Sequence, residues 1–411
     1  MNLPVVIVVD PTSTGISFSA ACQEYGAHVV HLWQSGLRNA YSTDPHPHKL
    51  LCTGEEDALA ALAGLTPIAV CPGSEYGVTF ANQLSAALGL PHNDLGLAGA
   101  RRDKNEMLRA VSAAGLPTGW SRELHSGDEV EEFLTGFDAF PVVVKPANSA
   151  GSDGCAVCYD AGELRAAYSA IAGQENYLGE TNSRVLVQEF IDGPQYIVDT
   201  ISTGGRHLLS DVFLYRIDEV AGKPLIRDAV LLKELNEAEQ DAVRYVMSCL
   251  DALGLKEGAA HTEVRLTARG PRLIEVNARL MGPIQPADVY TAALGHSHAT
   301  LLAESLLDRT RFEQRFEQEY RPQQALAMVL LRIYREGRIT AMPGLAQVRR
   351  LPGFHSFLKL PALGTAVSPA NPLTVGTTGL AFFAHTEADV VDKALAELHA
   401  MEDADAVFTV G

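Results

Sequence analysis

HTEVRLTARGPRLIEVNARL, residues 261–280, carries most of the information about this chain. Residues two apart in a strand share a face. His261, Glu263 and Arg265 therefore point one way, and Glu275, Asn277 and Arg279 share a face on the following run. The intervening ARGP reads as a turn, so the two runs pair antiparallel and bring Glu263 close to Glu275. Two carboxylates and an amide oxygen form an all-oxygen set. A divalent cation such as Mg²⁺ takes such ligands together with phosphate oxygens and water. The alternative is a solvated sheet face on which Arg265 and Arg279 pair with the acids.

Upstream, PVVVKPANSAGSDG ends an apolar run in Lys145 and continues into small residues. Asn148, Ser149, Gly151, Ser152 and Gly154 can cover phosphates, because glycine lets the backbone approach and amide and hydroxyl groups point at the anion. The same residues also suit an ordinary hairpin turn. Lys104 adds a further cation. A nucleoside triphosphate with Mg²⁺ accounts for the cations and the acids together. The chain lacks the P-loop pattern and the H-R-D and D-F-G motifs, which excludes a P-loop site and a protein kinase.

The 411 residues are too many for one ordinary core, and 47% hydrophobic with 20% charged residues suits a soluble protein. A net charge of −18 argues against nucleic acid or an anionic membrane as partner. No apolar run approaches a membrane span. MNLPVVIVVDP reads as a first strand rather than a signal peptide. Six cysteines indicate no disulfide framework, which points to the cytoplasm. Cys155 and Cys158 form one C-x-x-C with no second pair, so strand packing is preferred to zinc.

Strand and helix alternate through the first hundred residues, with strands at 5–9, 27–33 and 67–71, as in a doubly wound α/β domain. PTSTG after the first strand could hold an anion at a helix start, but it lacks the dinucleotide fingerprint. From 101 the texture is α+β: RRDKNEMLRAVSAAG is an amphipathic helix, and RVLVQEFIDG, PQYIVDTIST and HLLSDVFLYRI read as antiparallel strands. A third segment begins near 310 and ends in a strand and an acid-rich helix.

In order along the chain, DKNEML, VVVKPANSAGSDG, VQEFIDG, HTEVRL and IEVNAR resemble the ATP-grasp ligases. The resemblance covers most of the chain. It implies an ATP-grasp fold of mixed α/β and α+β class: a Rossmann-like domain at 1–100, an ATP-grasp domain at 101–310 with a nucleotide lid at about 115–190 and a metal and catalytic part at about 190–310, and a C-terminal α+β domain at 311–411. It implies that Lys104 and Lys145 contact phosphates under the loop of Ser149, Gly151, Ser152 and Gly154. Gln188, Glu189, Phe190 and Ile191 would read adenine. Glu263, Glu275 and Asn277 would hold Mg²⁺, with Mn²⁺ able to substitute. Arg279 occupies the place that holds the acyl phosphate or the acceptor carboxylate. His261 either positions a substrate or phosphate or is a satisfied sheet histidine. Met281, Gly282 and Pro283 either line an amino-acid pocket or form a turn out of the strand. One departure stands out: Gly193-Pro194-Gln195 replaces the G-x-E found in many members.

The layout is most similar to the L-amino-acid ligases, which make dipeptides. It implies an ATP-dependent ligase that joins an acid to an amine through an acyl phosphate, with small-molecule substrates and a homodimer. A purine-pathway type and a non-catalytic nucleotide-binding module are the other readings.

Overall fold

The computed structural model describes residues 3–147, 154–176, 179, 181–220, 223–368 and 378–411. Its first sheet is parallel and runs in the order β3-β2-β1-β4. The strands are β1 (Val5–Val9), β2 (His28–Gln34), β3 (Lys49–Cys52) and β4 (Pro67–Pro72). Sequence patterning missed β3, because four residues are too short to display a period. The apolar run of β1 is buried from both sides, as a central parallel strand requires. Behind it the expected helix spans Thr14–Glu24.

A second, antiparallel sheet has the order β5-β8-β6-β7. It comprises β5 (Ser121–Leu124), β6 (Val142–Pro146), β7 (Ala156–Cys158) and β8 (Val185–Glu189). Cys158 is buried in this sheet's apolar cluster, and both cysteines of the C-x-x-C carry free thiols. No cluster of three or more His, Cys, Asp or Glu side chains able to hold a metal occurs among the described residues.

The largest sheet has eight strands in the order β13-β12-β9-β10-β11-β14-β18-β16. Its strands are β9 (Gln195–Thr203), β10 (Arg206–Val220), β11 (Lys223–Leu231), β12 (Gly258–Thr267), β13 (Gly270–Asn277), β14 (Ala325–Leu330), β16 (Phe354–Leu358) and β18 (Leu380–His385). One face packs on the helices Lys104–Ala113 and Glu237–Ala252 through Val198, Val212, Val264 and Val276. The opposite face carries Ile197, Phe213 and Tyr215. A three-stranded sheet of β17 (Ala366–Val367), β15 (Gly337–Ala341) and β19 (Thr409–Val410) and the helix Ala388–Asp403 complete the C-terminal segment.

Strands β14, β16 and β18 come from beyond residue 310, so the C-terminal segment extends the large sheet as well as packing beside it. A cut at 310/311 falls inside the helix Arg309–Arg315. We propose three parts divided near 100 and 310, the second and third sharing the large sheet.

The first sheet meets the rest of the chain where the loops after β1 and β4 come together. A Cβ on Gly15 would lie 2.3 Å from the carbonyl oxygen of Gly73, closer than any real contact allows. Gly15→Ala must therefore displace the first turn of the helix Thr14–Glu24 from the loop after β4. Overpacking of this kind costs about 1–3 kcal/mol, and we expect a corresponding drop in stability measured by urea unfolding.

Candidate active site

The helix Lys104–Ala113 begins at Lys104 because Asp103 caps it, its side chain accepting from the backbone N–H groups of Asn105 and Glu106. Lys104 is thereby held at the first helical position, buried, with its Nζ 3.0 Å from Glu275 Oε1. Lys145 reaches the same place from β6. Both lysines line a cavity of about 530 Å³ between the sheet of β5–β8 and the large sheet. Burial pushes the Lys145 pKa down, and the charge of Lys104 pushes it the same way. Two desolvated ammonium groups side by side favour an anion between them.

The expected pairing of β12 with β13 is present, and Glu263 is the register partner of Glu275. A bulge follows, at which the partner of Val264 becomes Leu273. It lets Leu273 and Val276 both enter the core while Ile274 and Glu275 both line the cavity. The arginines do not neutralise the two acids. Arg265 donates to Gln195 Oε1 (3.2 Å) and to the Ile191 carbonyl (2.8 Å), and Arg279 pairs with Glu75. Glu263 accepts from Gln195 Nε2 at 2.8 Å. Burial, and then the neighbouring Glu275, push the Glu263 pKa up. Asn277 lines the cavity beside them, with its amide nitrogen 3.5 Å from the His261 carbonyl.

Gln195, the position that departs from the G-x-E pattern, thus has both ends of its amide engaged. A glutamate there would attract Arg265 and repel Glu263, whereas the amide serves both. Gly193 before it is also required. A Cβ there would lie 2.3 Å from the Leu266 carbonyl oxygen, and its φ is +115°.

Gln188, Glu189, Phe190 and Ile191 all line the cavity at the end of β8. Gln188 is buried, and its Nε2 has no hydrogen-bond partner among the described residues. Ser149, Gly151 and Ser152 lie outside the described residues. Gly154 has a φ of +64° and packs on Pro146, and Cys155 next to it lines the cavity.

His261 lines the cavity and is buried, with Nδ1 2.8 Å from Asp199 Oδ1. Burial, reinforced by Arg279, lowers its pKa to about 4, so the ring is neutral at physiological pH. Asp199 faces Asp211 across β9 and β10. Burial pushes both carboxyls up, and Asp211 rises further because Asp199 lies beside it.

Arg279 donates from Nε to Glu75 Oε2 (2.6 Å) and from Nη1 to the Leu280 carbonyl (2.9 Å). Among the described residues Nη2 has no hydrogen-bond partner. Glu75 also pairs with Arg102. Burial would raise the Glu75 pKa, but Arg279 and Arg102 outweigh it and hold the carboxyl below its usual range. Met281 does not line the cavity. Its side chain is fully buried with Tyr290 and Phe213. Its backbone accepts from Thr14 Oγ1 (2.8 Å) and donates to His298 Nδ1 (3.2 Å). Gly282 and Pro283, just beyond, do line the cavity.

Residues 138–288 match the family model described as the ATP-grasp domain. Over 353 residues, 83% of each chain, the protein is 29% identical to "Dapdiamide A synthase" of Enterobacter agglomerans. The L-amino acid ligase of Bacillus licheniformis superposes with a TM-score of 0.77 at 20% identity, covering 97% of this chain and 98% of that one. The ATP-complexed carboxyaminoimidazole ribonucleotide synthase of Aspergillus clavatus superposes with a TM-score of 0.71 at 12% identity, covering 98% of this chain and 99% of that one. Residues 138–288 are an ATP-grasp domain, and the chain has the ATP-grasp fold. At such identities the two structural likenesses show the ATP-grasp fold, and the family model locates its domain on the strands that carry the paired acids.

Sequence reasoning assigned no role to Glu75, Tyr215 or Met328, although all three line the cavity. Glu75 lies in GSEYG, residues 73–77, just after β4. No signal marks Tyr215 or Met328, whose facing depends on sheet order. Glu75→Gln keeps the shape but removes the charge that orients Arg279. Misorientation of a substrate-holding group costs roughly 10- to 100-fold. We expect a loss of that size in kcat/KM for the acid substrate with nucleotide affinity unchanged, measured by steady-state kinetics and ADP titration.

Proposed function

We infer that this protein is an ATP-dependent ligase that joins a carboxylate to an amine, giving an amide, ADP and phosphate. The observation that carries the inference is the convergence of Lys104, Lys145, Glu263, Glu275 and Arg279 on one cavity. Cations for phosphate, acids for a divalent metal and an arginine for a developing oxyanion are the parts that carboxylate activation requires.

Two carboxylates and an amide oxygen fit Mg²⁺ or Mn²⁺. They are too few for a closed cage, so the cation would share oxygens with the nucleotide. Glu263, Glu275 and Asn277 would hold it, and when bound it neutralises phosphate oxygens. Lys104 and Lys145 hold the transferring phosphate. The hinge at Gln188–Ile191 seats the base, and Arg265 fixes that hinge by holding the Ile191 carbonyl. Arg279, held by Glu75, presents its remaining N–H groups to the acyl phosphate or the acceptor carboxylate. The neutral His261, fixed by Asp199, offers Nε2 to a substrate. Gly282 and Pro283 border the substrate.

The relation to Dapdiamide A synthase supports acid–amine joining and a place in natural-product biosynthesis over a purine-pathway reaction. The likeness to an L-amino acid ligase supports an amino acid as at least one partner. Retention of the full ionic set argues against a binding module without turnover. A cytoplasmic homodimer belongs to the same proposal.

Phosphate release from MgATP with pooled amino acids and small carboxylic acids, followed by mass spectrometry, tests the inference. ADP and a product mass equal to two substrates less water are expected. Glu275→Gln should lower turnover at least ~100-fold, the loss typical of a removed charge-stabilising group, with an unchanged circular dichroism spectrum. Near-normal turnover in that variant would refute the metal assignment.

A further inference from the structure

The cavity has two chemically different ends. Across the sheet, Arg265 is the register partner of Gln195, Gln195 of Tyr215, Tyr215 of Ala229 and Ala229 of Met328. The floor therefore passes from the charged strand β12 to apolar β10, β11 and β14. At a strand spacing of about 4.8 Å, Tyr215 lies roughly 10 Å and Met328 roughly 19 Å from the strand of Glu263. Tyr215, Ile217, Ile226, Met328 and Leu330 make that end oily.

A single cation stands on the lining there. Leu330 is the partner of Leu380, and Leu380 of Leu358, the last residue of β16. Lys359 follows, exposed, and lines the cavity. Its φ of +53° lies in the left-handed region, which non-glycine residues adopt at a cost. Every carboxylate on the cavity lining is engaged elsewhere: Glu75 with Arg102 and Arg279, Glu189 with Arg269, Glu263 with Gln195 and Glu275 with Lys104. Among the described residues Lys359 makes no ion pair or hydrogen bond.

We propose that this end of the cavity is a side-chain subsite for an acid substrate that carries a second, distal carboxylate, and that Lys359 pairs with that carboxylate. The proposal rests on the ligase reading for the identity of the reacting carboxylate. An apolar slot ending in an ammonium group rewards an apolar spacer ending in an anion. The ammonium is exposed, so the pair adds a modest increment to the apolar contact. A neutral tail of the same length would gain the apolar contact alone. Lys359 thus acts on substrate choice and takes no part in the bond-making step.

Isothermal titration of the full-length protein with dodecanedioate and tetradecanedioate, long enough to span several strand spacings of about 4.8 Å, and with dodecanoate and tetradecanoate as single-carboxylate controls, tests this directly. An ion pair at an exposed ammonium corresponds to roughly two- to fivefold in affinity. The wild type should prefer the dicarboxylates by that factor. Lys359→Met should lose the preference, Lys359→Arg should keep it, and ADP should bind all three proteins alike. Equal binding of the two series to the wild type, retention of the preference in Lys359→Met, or binding of neither series would overturn the proposal. Ligation assays separate it from the broader reading. Ligation of dicarboxylates with the same KM in wild type and Lys359→Met would reject the subsite and leave the ligase standing. A Lys359-dependent dicarboxylate preference without ADP release would support the subsite and reject the ligase.

Discussion

Two carboxylates that should repel are held side by side, and the site is organised around that fact. The register of β12 on β13 makes Glu263 and Glu275 partners, and the bulge that follows keeps Glu275 on the cavity face while Leu273 and Val276 stay in the core. Like charges on adjoining, partly buried strands are tolerated only where positive charge is near. Lys104 supplies part of it at 3.0 Å from Glu275, and Lys145 adds its field from the sheet of β5–β8. Gln195 takes the other carboxylate without adding charge. The arginines that could have neutralised the pair are drawn off to Gln195 and to Glu75. What remains is a pair of acids and a pair of ammonium groups across one cavity, an arrangement suited to a metal–phosphate ligand.

Much of this was legible in the sequence because it is local. The alternation in HTEVRL and IEVNAR and the short turn between them place Glu263 opposite Glu275 with no knowledge of the fold. The apolar run that ends in Lys145 is equally local. The bulge at Ile274 was not legible, since simple alternation puts Leu273 on the same face as Glu275. Met281 illustrates the same limit. Its neighbour Gly282 lines the cavity, yet its own side chain faces Tyr290, because the chain leaves strand geometry after Asn277. The contributions of β14 and Lys359 depend on sheet addition across more than a hundred residues, which no period reveals.

The fold also explains why the first sheet belongs to the site. The start of the helix Thr14–Glu24 touches the loop after β4 at Gly15 and Gly73, and that loop brings Glu75 to Arg279. Thr14 holds the backbone of Met281 from the same side. The arginine expected to meet the activated carboxylate is therefore oriented by a different sheet from the one that carries it. Along the large sheet, ionic groups line the cavity over β12 and β13 and apolar groups over β10, β11 and β14.

The central claim is that this cavity activates a carboxylate by transferring a phosphoryl group to it. The most direct measurement uses an acid substrate labelled with ¹⁸O in its carboxylate and reads the phosphate released during ligation by mass spectrometry. Transfer through an acyl phosphate predicts one labelled oxygen in each phosphate formed. Unlabelled phosphate alongside amide formation would contradict the account.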